Sequence, residues 1–184
     1  MPAAAALLKE AIRMKKQQKR TFFLVFTGVL TILVFGVSDI FLFPAIERTT
    51  QDIPAFDLSV IGLSFADARQ FVRLLSEEGK KLYLFAELPL DCVFPFCYTP
   101  FFVLSLQSLR KKKGLLFALP FLLAAFDYFE NGCTAYLLTH PSFTQTAALV
   151  ARTATIGKSA LMYLTIGILL YNLLKKFLKK RKKF

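Results

Sequence analysis

Tryptophan is absent from the 184 residues, histidine occurs once and cysteine three times. A histidine-ligated zinc centre needs several imidazoles, so the lone His140 excludes the usual kind. Cys92, Cys97 and Cys133 are odd in number, and Cys92 and Cys97 stand five apart, on different faces of a helix. That is not the spacing of a redox or zinc motif, and inert thiols are expected. The chain also lacks H-E-x-x-H, G-x-S-x-G and a phosphate-binding glycine loop. Acids are scarce, 12 against 24 basic residues, for a net charge of +12. Such an excess fits nucleic acid or an anionic membrane surface, and the position of the charges decides between them.

What is abundant is apolar. Hydrophobic residues make up 55% of the chain, 21 of them Phe, and the mean hydropathy is +0.52. A water-soluble domain of this size cannot bury that much apolar surface in one core. Four stretches reach the roughly 20 residues that a helix needs to cross a bilayer core. They run over about 21–46, 82–109, 115–138 and 145–174. The expected fold is therefore an all-α membrane protein, an antiparallel four-helix transmembrane bundle forming a single membrane domain over 1–184. The first stretch is too long for a cleaved leader and no small-residue cleavage site follows it, so it reads as a retained signal-anchor.

Seventeen of the 24 basic residues fall in the N-terminal segment, in Arg110-Lys111-Lys112-Lys113 and in the tail 175–184. Four crossings put all three segments on one side. The 47–81 loop balances its five cations with six acids, and the loop around His140 carries no charge. The excess of Lys and Arg marks the cytoplasmic side. The chain is thus expected in the cell membrane, multi-pass, with both termini cytoplasmic. This partition assigns the basic clusters to topology and to anionic headgroups, which excludes nucleic acid and leaves membrane lipids as partners. Within the loop, Ser64 reads as a helix N-cap, and Phe65, Ala68, Val72 and Leu75 recur at helical spacing. A short amphipathic helix is expected there, with Gly79 as its C-cap, serving as an interfacial connector rather than a lid.

Charges inside the spans are the unusual feature. Asp39 lies in the first, Glu87 and Asp91 in the second, Asp127 and Glu130 in the third, Arg152 and Lys158 in the fourth. An ionised side chain at the bilayer centre costs about 3 kcal/mol on insertion scales. Counted along the helices, Asp39, Glu87, Glu130 and Arg152 lie roughly 8–12 Å from the outer boundary, with Asp91, Asp127 and Lys158 deeper. Glu87 and Asp91 are i and i+4 and share a face; Asp127, Glu130 and Asn131 share another. Turned inward, these faces make a polar cavity open to the outside. Its candidate binding residues are Asp39, Glu87, Asp91, Asp127, Glu130, Asn131, Arg152 and Lys158.

Five carboxylates against two cations leave that cavity too negative to stay dry and uncompensated. A carboxyl must hold its proton, with Asp127 the first candidate, or a cation must bind, or water must enter. Arg152 and Lys158 are each expected to pair with an acid. A hard cation on the acids and an Asp91–Asp127 dyad are chemically open, and no cofactor or metal is named by any motif. Pro89, Pro95 and Pro100 bracket Asp91 and predict a kinked second span.

Glu78-Gly79-Lys80 with Tyr83, Leu90-Asp91 with Phe94-Pro95 and Tyr98, Asp127 with Glu130-Asn131, and Lys158 together resemble a pattern in uncharacterised bacterial four-span membrane proteins. That resemblance implies a bacterial membrane context and no particular activity. The loop signature of claudin-type proteins, a Trp with paired cysteines, is absent. Three classes of function are open. One is a module whose acidic cavity binds or transports a cation, a proton or a polar lipid headgroup. The others are an accessory subunit, in a homodimer or with another membrane protein, and an enzyme acting on an outer-leaflet lipid.

Overall fold

The computed structural model describes residues 2–50, 53–109 and 114–181, and these are helical with short connections. The Arg110–Lys113 cluster and the last three residues, on which part of the orientation argument rests, lie outside the described residues. Helix α1 (Pro2–Val37) runs into a π-helical turn, Ser38–Leu42, and a short α2 (Phe43–Glu47). Helix α3 (Phe65–Leu74) and α4 (Glu77–Leu82) follow. A second π-helical turn, Tyr83–Glu87, leads from α4 into α5 (Leu88–Leu109), and α6 (Leu119–Thr139) and α7 (Gln145–Arg181) complete the chain.

Four helical stretches are long and apolar enough to cross a membrane: Glu10–Glu47, Glu77–Leu109, Leu115–Thr139 and Gln145–Lys179. The chain reads as a multi-pass membrane protein on that ground. The exposed face of α1 carries Phe22, Phe26, Val29, Ile32 and Phe35, and that of α7 carries Leu149, Tyr163, Leu170 and Leu174. Apolar belts of this kind suit hydrocarbon and would be a liability in water.

Helix α1 packs along α5, α5 along α6 and α6 along α7, with α5 also touching α7. No comparable packing joins α1 to α7 among the described residues.

The two π turns have a shared cause in sequence. Ser38–Leu42 is followed by Pro44, and Tyr83–Glu87 by Pro89, each proline six residues after the turn begins. A proline has no N–H for the carbonyl four residues back and its ring crowds that carbonyl, so the turn before it widens. The two turns pack on each other; the first buries Ser38, and the second buries Glu87 and Tyr83.

The 47–81 segment caps one end of the bundle, which is called the loop end below; the opposite end, with Arg13 and Lys176, is the basic end. Ser64 caps α3 as its sequence suggests, accepting from the Asp67 N–H at 3.2 Å. The apolar face of α3 is buried: Ala68, Phe71 and Leu75 join Phe43, Phe56, Tyr83, Leu138 and Phe143 in the larger core. Helix α3 is therefore a packed part of a cap over the bundle, not a connector spread on the membrane surface. Gly79 does not end it. Leu75 closes α3, and Gly79 sits in the first turn of α4 with its N–H donated to Ser76 Oγ at 3.0 Å. A Cβ there would stand 2.9 Å from Leu75 and 3.0 Å from Thr49, so close approach, not a left-handed turn, requires the glycine.

Candidate functional site

Lys158, on α7, is the centre of the polar groups. Its Nζ lies 2.5 Å from Glu130 Oε2 and 2.7 Å from Asp127 Oδ1, both on α6. Asp57 Oδ1 is at 3.6 Å and Asp91 Oδ2 at 3.9 Å. The second oxygen of three of these acids takes a hydroxyl. Tyr98 donates to Asp127 Oδ2 at 2.9 Å, Thr155 to Glu130 Oε1 at 2.5 Å, and Tyr83 to Asp57 Oδ2 at 2.6 Å. Asp127 and Glu130 are fully buried, at 0% and 1% exposure. The result ties α5, α6, α7 and the loop segment to one ammonium group.

Asp57 was invisible as a site residue in sequence, where it counts as one more loop acid. Its neighbours Phe56 and Leu58 are apolar. Phe56 anchors in the core, edge-on to Phe71, and that anchoring carries Asp57 inward. Tyr83 and Tyr98, also unassigned from spacing, supply the hydroxyls.

Two expected members lie elsewhere. Among the described residues Arg152 pairs with no acid; its Nε donates to the Ile61 carbonyl at 3.1 Å and holds the loop against α7. Gly62, at φ 66°, makes that contact possible: it turns the chain over Arg152 in a conformation that side chains resist. Asp39 lies in the first π turn and is exposed on the outside of the bundle. Among the described residues the charge balance at the centre is consequently five carboxylates to one ammonium, more negative than the sequence suggests.

The deficit falls unevenly. Asp127, the first candidate in sequence to hold a proton, is met by both Lys158 and Tyr98. Glu87 is the acid without a cation: it is 1% exposed, Ser38 lies beside it, and among the described residues no Lys or Arg pairs with its carboxylate. Asn131 donates weakly to Cys92 Sγ at 3.8 Å, and its Oδ1 is unpartnered. Among the described residues no three His, Cys, Asp or Glu side chains converge as a metal site. Where a hard cation would sit on Asp127 and Glu130, Lys158 already does. Asp91 and Asp127 both face that ammonium and form no isolated dyad. The cysteines are free.

Beside the cluster lies a cleft of about 510 Å³, in the seam between α1 and α7 with α5 as its floor. Ser38, Asp57, Glu87, Asp91 and Lys158 line its polar end, under the roof formed by Leu58 and Val60. Away from them the walls are apolar: Ile32 and Phe35 from α1, Phe94 and Phe102 from α5, Met162 and Ile166 from α7. From Lys158 to Ile166 the cleft follows α7 for roughly 12 Å at 1.5 Å per residue. Ile32 and Tyr163 line it while 71% and 60% exposed, so they are its two lips. Because residues 57–60 roof the polar end, the cleft opens sideways through the seam and not along the bundle axis.

Comparison decides little more. No family model, curated protein or solved structure matches the chain. The four-span architecture is what stands of the resemblance noted in sequence. Of the residues that carry it, Tyr83, Asp91, Tyr98, Asp127, Glu130 and Lys158 belong to the cluster just described, whereas Glu78, Gly79 and Lys80 lie in α4.

Proposed function

We propose that the chain is a membrane binding module whose cleft takes an amphiphile with a positively charged, hydrogen-bond-donating head. The observation that carries this is Glu87, a fully buried carboxylate with Ser38 beside it and no cation paired to it among the described residues, at the polar end of a cleft whose other walls are apolar. A buried charge left unpaired is costly, and a cationic head supplies the missing charge and donors. The apolar walls suit an alkyl chain, and the lips at Ile32 and Tyr163 suit entry from the hydrocarbon layer.

The four spans run antiparallel, and the basic end faces the cytoplasm by the distribution of Lys and Arg. The acidic end then lies in the outer half of the membrane. A bound amphiphile has its head near Glu87, Asp91 and Asp57 and its tail toward Phe102. Transport is a poorer reading than binding. Below Phe102 the seam is lined by Leu24, Phe101, Leu169 and Leu173, and an apolar passage resists a charged head.

A second reading, an accessory subunit, rests on Asp39. It is a charge within a span that faces away from the bundle, where a neighbouring helix or a second copy could meet it.

The test uses the purified full chain in neutral detergent, titrated with dodecylamine, with dodecanol and with propylamine. Dodecylamine is expected to raise the melting temperature, and Glu87→Gln to abolish that shift. Dodecanol lacks the charge and propylamine the tail, so both should act weakly. An equal shift from dodecanol, or full retention of the amine effect in Glu87→Gln, would contradict the proposal.

A further inference from the structure

The same seam has a second polar pole at its other end. A pocket of about 520 Å³ at the basic end is lined by Arg13, Lys16 and Arg20 of α1, Gln107 and Ser108 of α5, and Lys176 of α7. Among the described residues four cations from two helices surround it, with neutral donors from a third and no acid in its wall. Arg20 is committed in part, since its Nη2 reaches the Leu104 carbonyl at 3.4 Å. The remaining three have no acid beside them in the pocket.

This pocket adjoins an apolar groove of about 490 Å³, sharing Leu24 and Ser108 with it. The groove in turn meets the acidic cleft, because Phe102 and Ile166 line both of those. The seam left open by the lack of packing between α1 and α7 is therefore one track with opposite charges at its ends. Its middle is apolar.

We propose that the basic end of this track seats one anionic phospholipid of the cytoplasmic leaflet. The phosphate lies among Arg13, Lys16 and Lys176, and an acyl chain fills the groove up to Phe102 and Ile166. There its end meets the tail of the amphiphile held in the acidic cleft. Charge complementarity selects the head, since basic pockets between membrane helices on the cytoplasmic side favour anionic headgroups. Contiguity with the groove selects a lipid over a free phosphate ion. The leaflet follows from the orientation proposed above, whereas the site itself does not depend on Glu87.

The experiment is lipid titration of the purified full chain in neutral detergent, followed by native mass spectrometry. The probes are dioleoylphosphatidylglycerol, dioleoylphosphatidylcholine and glycerol 3-phosphate. Arg13→Gln/Lys16→Gln/Lys176→Gln is compared with Lys15→Gln/Lys19→Gln/Lys179→Gln, which removes three cations outside the pocket. One phosphatidylglycerol should bind and survive in the second variant, while the first weakens it on the order of a hundredfold, from about 1 kcal/mol per basic residue. Phosphatidylcholine and glycerol 3-phosphate should bind far less. Equal losses in the two variants would show a diffuse basic surface in place of a site. Tight binding of glycerol 3-phosphate alone would make the ligand a free phosphate, and phosphatidylcholine binding as well as phosphatidylglycerol would remove the role of charge; either result overturns the proposal. Because Glu87 and the dodecylamine response are untouched by these substitutions, failure here leaves the acidic cleft standing.

Discussion

Individual carboxylates in this chain have opposite roles, and stability should separate them. Asp127 takes Lys158 on one oxygen and Tyr98 on the other, so Asp127→Asn breaks a buried ion pair. Because Glu130 still pairs the ammonium, a loss of about 1.5–3 kcal/mol is expected, read as a lowered melting temperature in detergent. Glu87 has no paired cation among the described residues, so Glu87→Gln should leave the melting temperature unchanged or raise it. The reverse order of the two variants would mean that Glu87 is the paired acid. Sequence showed six of the residues at or beside the centre, Glu87, Asp91, Asp127, Glu130, Asn131 and Lys158, because charge within an apolar span is conspicuous. It could not apportion them. Facing was legible from i, i+3 and i+4 spacing, but which cation meets which acid depends on rotation of α7. Lys158 turns in, and Arg152, six residues earlier, reaches the loop. Asp57 escaped because a loop acid carries no sign of the fold that buries it.

At the scale of elements, the spans and the capped helix α3 were readable from length and periodicity. The π turns were not, although Pro44 and Pro89 mark both. Packing of the 47–81 segment as a cap was likewise hidden, since an amphipathic pattern does not say whether its apolar face meets lipid or protein. Its attachment to α7 is testable at Gly62. A Cβ there would lie 2.7 Å from Arg152 Cγ and 2.9 Å from Arg152 Cα, on a backbone of positive φ. Gly62→Ala should cost about 1–3 kcal/mol locally and raise hydrogen exchange over residues 59–63. Arg152→Ala should cost only about 1 kcal/mol, one hydrogen bond to a carbonyl. If Gly62→Ala left exchange unchanged and Arg152→Ala unfolded the bundle, Arg152 would belong to the central network after all.

For the whole molecule, the arrangement follows from one packing fact: α5 and α6 bind the bundle together while α1 and α7 stay apart. The open seam makes the cleft, the cap roofs its acidic end, and Lys158 holds the cap down through Asp57. Orientation can be checked with Ser142→Cys and Leu178→Cys in intact cells. An impermeant reagent should label the first and spare the second, and labelling at position 178 would invert the proposed topology. The most direct test of the cleft as a receptor for a cationic amphiphile is photolabelling with dodecylamine carrying a diazirine at its chain end. Adducts should map to Ile32, Phe35, Met162 or Ile166 and vanish in Glu87→Gln. Adducts that instead scatter over the exposed faces of α1 and α7, or that persist undiminished in Glu87→Gln, would contradict the account.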